Sequence, residues 1–125
     1  MSDLLWQLGA METAELISKK DVSTREVIKN HLERLTEVNP KINAITRSLN
    51  DEAMEMAILA DEKISRKEQV GPLHGVPVTI KDNVDITGQS SPNGVSKLRD
   101  NLAPANSSVV DNLLKAGAIP IGRTN

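Results

Sequence analysis

The chain has 125 residues and a net charge of −2, with 15 Lys and Arg against 17 Asp and Glu. Thirteen Leu, ten Ile and ten Val with a single aromatic, Trp6, give enough aliphatic mass for a core, but neither the basic excess nor the stacking aromatics of a nucleic-acid surface. The absence of cysteine excludes disulfides, thiolate metal sites and a thiol nucleophile, and no apolar run approaches the ~18 residues that span a bilayer.

Met1, Ser2 and Asp3 lack a basic leader before an apolar stretch, so a cytoplasmic protein is expected. Leu4, Leu5, Leu8 and Met11 recur at helical spacing, interrupted by Gly9, and 13–19 predicts a second short helical turn. Ser23 followed by Glu26 is a capping box, which opens a helix whose apolar stripe is Ile28, Leu32 and Leu35, with Val27 and Val38 beside it. Pro40 predicts its end near Asn39. His31 lies near that stripe and reads as a partly buried structural residue. It is too far from His74 in sequence to form a helical ligand pair, and no metal site is expected. Residues 42–46 read as a short strand or a turn. Asn50 or Asp51 then caps a third helix, where Ala53, Ala57, Ala60 and Ile64 make a narrow stripe suited to close packing.

After Val70 the punctuation changes to Gly, Pro and Asn between short apolar runs, so the chain divides into a helical part, 1–70, and a strand-bearing part, 71–125. Residues 76–80 predict a strand, with Pro77 at its first position or on an edge. The following stretch, 87–106, reads mostly as loop. Asn106 and Ser107 can cap a helix with Val109, Val110, Leu113 and Leu114 on its apolar face, ended by Gly117, and 118–121 reads as a second strand. Strand, long connection, helix and strand imply a parallel α/β sheet.

Two segments invite a chemical reading, and one survives it. The tail from Gly117 to Thr124 superficially matches the phosphate loop G-x-x-x-x-G-K-[ST]. Its middle is apolar and strand-like, however, and Arg123 replaces the lysine. No helix follows to present N–H groups to an anion, so no nucleotide site is read there. The other segment is GVPVTIKDN, 75–83. Lys81 directly follows a β-branched strand, at the kind of strand C-terminus where ligands of open α/β sheets gather. A lysine there is either a solvated strand end or a desolvated amine able to act as a base near neutral pH. Asp82 and Asn83 are placed to orient it or to cap the loop, and His74 reads as a loop residue.

GVPVTIKDN resembles the lysine motif of the amidase signature family. VVDNLLKAGAIPIGRTN, 109–125, is similar to that family's V-x-x-L-x-x-A-G-A-x-x-x-G-K-T-N, and both the helix 23–35 and the turn NPKINA, 39–44, match it upstream. The resemblance covers nearly the whole chain. It implies an incomplete amidase-signature fold: α/β, with N-terminal helices followed by strands of a mixed central sheet. It implies an amide hydrolase with a Ser–cis-Ser–Lys triad in which Lys81 is the catalytic amine, with no metal or organic cofactor. The expected substrate of the complete enzyme is a small-molecule amide. One branch of the family generates amidated tRNA, with the tRNA contacts largely in partner subunits, so no direct nucleic-acid contact is expected of this chain. Both triad serines lie downstream of the G-K-T-N block in the family. Ser90, Ser91, Ser96, Ser107 and Ser108 lie outside any such Gly/Ser-rich context, so residues 1–125 alone are expected to be inactive. Arg123 stands where the family pattern has lysine, Asn106 where it has aspartate, and SPNGV, 91–95, where a T-T-A-G-S-like run is common. The competing reading is a short non-catalytic binding or assembly module. On either reading a second copy or a partner chain would cover exposed sheet edges.

Overall fold

Gly9 divides the first apolar stripe into two helical pieces. Ser2–Gln7 form a 3₁₀ helix, and α1 runs Ala10–Ser18 with Gly9 as its extended N-cap. The computed structural model describes residues 2–125, with side-chain surroundings from Leu4 onward. Met1 and the side chains of Ser2 and Asp3, on which the leader reading falls, lie outside that description. The 3₁₀ helix is tied past α1 to α2 (Thr24–Ile42). The Trp6 N–H donates to Asn30 Oδ1 at 2.9 Å, and the Arg34 guanidinium sits 4.2 Å from the Trp6 ring centroid.

α2 begins as its sequence dictates. The Glu26 N–H donates to Ser23 Oγ (3.1 Å) and the Ser23 N–H to the Glu26 carboxylate (2.8 Å). Its end departs from expectation. Pro40 lies inside the helix, which continues to Ile42. A proline this close to the C-terminus forfeits one ladder bond, and its fixed φ is compatible with the last turn. Asn43 supplies the stop in a left-handed conformation (φ 48°), its N–H on Asn39 O. The Asn39 side chain then brackets Ile45 by accepting from its N–H and donating to its carbonyl, which starts β1 (Ile45–Ser48).

α3 spans Asn50–Ser65, and its N-cap is Leu49 rather than Asn50 or Asp51. No side chain caps it. The Leu49 N–H is instead fixed to Ile121 O across the sheet, and Asp51 and Glu52 sit in the first turn, where the helix dipole favours anions.

The sheet has three strands in the order β1-β3-β2, with β2 at Pro77–Lys81 and β3 at Ile119–Thr124. β2 and β3 are parallel and β1 is antiparallel to β3, so the sheet is mixed, as the resemblance implied. Pro77 opens β2 on an edge, where its missing N–H costs nothing. β3 is longer than the stretch 118–121 read from sequence, and it reaches Thr124 because it pairs on both sides. Its internal Pro120 is tolerated because β1 begins pairing only at Gly122. The neighbouring Ile119 N–H already points toward β2, onto Val76 O.

One apolar cluster joins α2 and α3 to β3: Ile28, Leu32, Ala53, Ala57, Ala60, Ile119 and Ile121. A second joins β2 to α4 (Ser108–Lys115): Ile80, Ile86 and Val110, with Val78, Leu113 and Leu114 packed against it. Ser107 caps α4 through the Val110 N–H. Asn106 does not share that role. Its side chain accepts from the Thr87 N–H and hydroxyl and donates to Asp111, which pins the start of the loop to the helix. Between Thr87 and Asn106 the chain is largely irregular, with a 3₁₀ turn at Ser96–Leu98 and a bridge between Ser90 and Leu102.

After α4 the backbone must pass the loop before β2. Gly117 adopts φ +95° there, and a Cβ would stand 2.6 Å from His74 Cα, so the site requires glycine. His74 lies in that loop as expected but is buried, its Nε2 2.9 Å from Ala60 O.

Candidate active site

Lys81 is the last residue of β2, at the C-terminal end of the parallel pair, directly beside Thr124 of β3. The chain turns immediately afterward. The Val84 N–H donates to Lys81 O at 3.0 Å and the Asp82 N–H to Thr124 O at 2.7 Å, so both backbone groups flanking the lysine are committed. The Lys81 side chain is exposed, and a desolvated amine at this position needs cover that residues 1–125 do not supply. Asp82 is buried and Asn83 is exposed.

Behind the turn lies Arg123, which the sequence pattern marks only as a replacement for a lysine. It is 2% exposed, among the largest fully buried side chains. Its Nη2 donates to Val84 O (2.6 Å) and Lys81 O (3.2 Å), and its Nη1 donates to Gln89 Oε1 (2.9 Å). Nε is buried without a hydrogen-bond partner among the described residues. Burial pushes the guanidinium pKa down, Asp82 and Asp85 counter this, and Arg47 adds to it. The available signal was a charged residue closing an otherwise apolar strand, because a buried charge is normally paired.

A cleft of about 360 Å³ opens beside the turn, lined by Thr46, Arg47, Asp82, Ser90, Arg99 and Arg123 among others. Lys81 does not line it. The structure therefore brings Asp82 and Arg123, but not Lys81, to a common cleft. Ser90 and Ser96 line the same cleft, and Ser107 is occupied as the α4 cap. Among the described residues no three His, Asp or Glu side chains converge as a metal-binding group, and no helix is long and apolar enough to cross a membrane.

Residues 26–125 match the family model for amidase. The chain is 45% identical over 121 residues to the indoleacetamide hydrolase of Bradyrhizobium diazoefficiens, covering 97% of this chain and 23% of that protein. It is 40% identical over 121 residues to a subunit of the glutamyl-tRNA(Gln) amidotransferase of Thermoanaerobacter pseudethanolicus, covering 97% of this chain and 25% of that one. Among solved structures, a bacterial aryl acylamidase of the amidase signature family superposes with a TM-score of 0.89 at 30% identity, over 94% of this chain and 25% of that one. Fatty acid amide hydrolase superposes with a TM-score of 0.94 at 26% identity, over 99% of this chain and 22% of that one. The chain spans about a quarter of the length of these relatives, and it belongs to the amidase signature family.

Proposed function

We propose that this chain is the N-terminal, lysine-bearing part of a hydrolase acting on carbon–nitrogen amide bonds, with Lys81 as the proton acceptor of a Ser–cis-Ser–Lys triad. One observation carries the reading: Lys81 ends β2 at the C-terminal edge of the sheet, inside the segment that matches the family, with its backbone fixed on both sides. In this chemistry the neutral lysine amine takes a proton from the bridging serine. The bridging serine takes one from the nucleophilic serine, whose oxygen adds to the amide carbonyl carbon. Collapse breaks the C–N bond, the proton leaves with the amine, and an acyl-enzyme remains for water to hydrolyse. In the family the two serines lie downstream of the block that G-R-T-N matches, and on this reading residues 1–125 by themselves supply no nucleophile for the acyl-enzyme.

The test is a graft. Residues 1–125 replace the matching segment of the Bradyrhizobium indoleacetamide hydrolase, and indoleacetamide hydrolysis is followed. The graft is expected to turn over and Lys81→Ala to lower kcat by about 10³-fold or more, in the range of a lost general base. The 125-residue chain alone should be silent. A folded Lys81→Ala graft with undiminished kcat overturns the assignment.

The alternative of a non-catalytic assembly module draws on two observations. Leu98, Leu102 and Val109 are all exposed, and the outer edge of β2 has no strand partner among the described residues. A native mass near 13.6 kDa per chain in cells, with a second protein bound, supports that reading, and a larger polypeptide supports the hydrolase.

A further inference from the structure

We infer that Arg123 is a positioning residue for Lys81: it clamps the turn that follows the lysine strand from behind and so fixes the point from which the lysine side chain departs. The inference rests on the reading of Lys81 as the proton acceptor.

The segment from Lys81 to Val84 reverses direction through a single internal hydrogen bond, Val84 N–H to Lys81 O. The Asp82 N–H ties the start of the turn to Thr124 O, but without a side-chain partner nothing else holds its far end, and a turn so sparsely held at the end of an edge strand opens readily. Here the carbonyls at both ends of the turn, Lys81 O and Val84 O, converge on one nitrogen of a guanidinium, and the other terminal nitrogen holds Gln89 from the next loop. The guanidinium is carried on β3, the centre of the sheet, and is buried. The turn is thereby fixed to the most constrained strand of the molecule. The burial penalty on this cation is offset by directed acceptors and by the nearby Asp82 and Asp85. Three acceptors on two terminal nitrogens suit a planar fork. An ammonium in the same place is a point donor on a shorter reach, so lysine substitutes only partly.

The experiment uses the 125-residue chain and amide hydrogen exchange by NMR, with Arg123→Lys and Arg123→Met. In the wild type the Val84 amide, bonded to Lys81 O, is expected to be protected. With Arg123→Met its exchange is expected to speed by at least ~10-fold while the buried-helix amides of Ile28 and Leu32 stay within about twofold. Arg123→Lys should fall between the two, a partial rescue. If every amide accelerates together, or if Val84 does not respond, Arg123 is an ordinary core residue and the inference fails. If Arg123→Met does not fold, Arg123→Lys decides by the same comparison, and loss of the fold in both variants also overturns the inference. Exchange reports the clamp without any turnover, whereas Lys81→Ala in the graft reports the base alone, so the two readings fail separately.

Discussion

The layer where α2 and α3 cover β3 and the turn that carries Lys81 are held in opposite ways. The helical layer is held by apolar contact. Ala53, Ala57 and Ala60 present a narrow face that lets α3 approach closely, and Ile28, Leu32, Ile119 and Ile121 fill the space. Many small dispersion terms act there without preferred direction, so a lost contact weakens the layer by degrees. The lysine turn is held by a few directed bonds, two of them from one buried guanidinium that also holds Gln89. Removing that partner takes the guanidinium donor from Val84 O and Gln89 Oε1 and leaves Lys81 O with the Val84 N–H alone, a local and abrupt loss. This part of the molecule thus separates stability from placement, with the apolar layer supplying the first and the polar turn the second.

Substitutions should pull the two apart. The largest effect on function is expected from Lys81→Ala in the graft, and Arg123→Lys in the same graft should lower kcat with KM nearly unchanged, because the clamp touches the turn and not the amide. The largest effect on stability is expected from Ile28→Ala. Ile28 is fully buried in the helical cluster, and truncation of such a residue costs about 2–5 kcal/mol in urea unfolding. All exchange protection, Val84 included, should fall together in that variant. If Val84 alone responded, the division between layer and turn would be wrong.

Next in size is Gly117→Ala, which acts at the join between the two regions. A left-handed φ costs a non-glycine residue about 1–2 kcal/mol, and the added Cβ meets His74 Cα at 2.6 Å. Backbone cannot yield as a flexible side chain can, so at least ~2 kcal/mol is expected by thermal or urea denaturation. Ser23→Ala comes below it, at about 1 kcal/mol, for the loss of the α2 capping box. A Ser23→Ala chain as stable as wild type would show that tertiary packing alone holds that end.

What is legible in the sequence follows the same division. α2, its cap and its buried face are readable because capping and periodicity are local signals, recorded within four residues of the atoms they position. Its end misleads because Pro40 announces a break, whereas the stop is a left-handed Asn43 fixed from inside the turn by Asn39. The first turn of α3 misleads for a different reason. Asn50 and Asp51 are good cap residues, but the Leu49 N–H is taken by Ile121, 72 positions away. The lysine strand and its position at a strand end are legible, and the role proposed for Lys81 draws on resemblance. The clamp is not legible. Arg123 stands 42 residues from Lys81 and 34 from Gln89, and no local pattern encodes a contact across that separation.

The smallest expected effect concerns pH and tests whether the helical layer is as purely apolar as its packing suggests. His31 lies half-buried on α2 with Nδ1 2.8 Å from Val27 O. Burial lowers its pKa below the ordinary 6.5, and the backbone carbonyl opposes the shift more weakly. The folded chain therefore binds a proton at His31 less readily than the unfolded chain does. By linkage this leaves stability unaffected at pH well above 6.5 and removes some of it as the pH falls through 6.5 toward the lowered folded value. Wild type should lose more urea midpoint between about pH 7.5 and pH 5.5 than His31→Gln, which has no titrating group there. Carboxylate titration is shared by the two chains, so the difference between their slopes isolates His31. Equal slopes would mean that the ring reaches solvent and that this part of the layer is wetter than its packing implies.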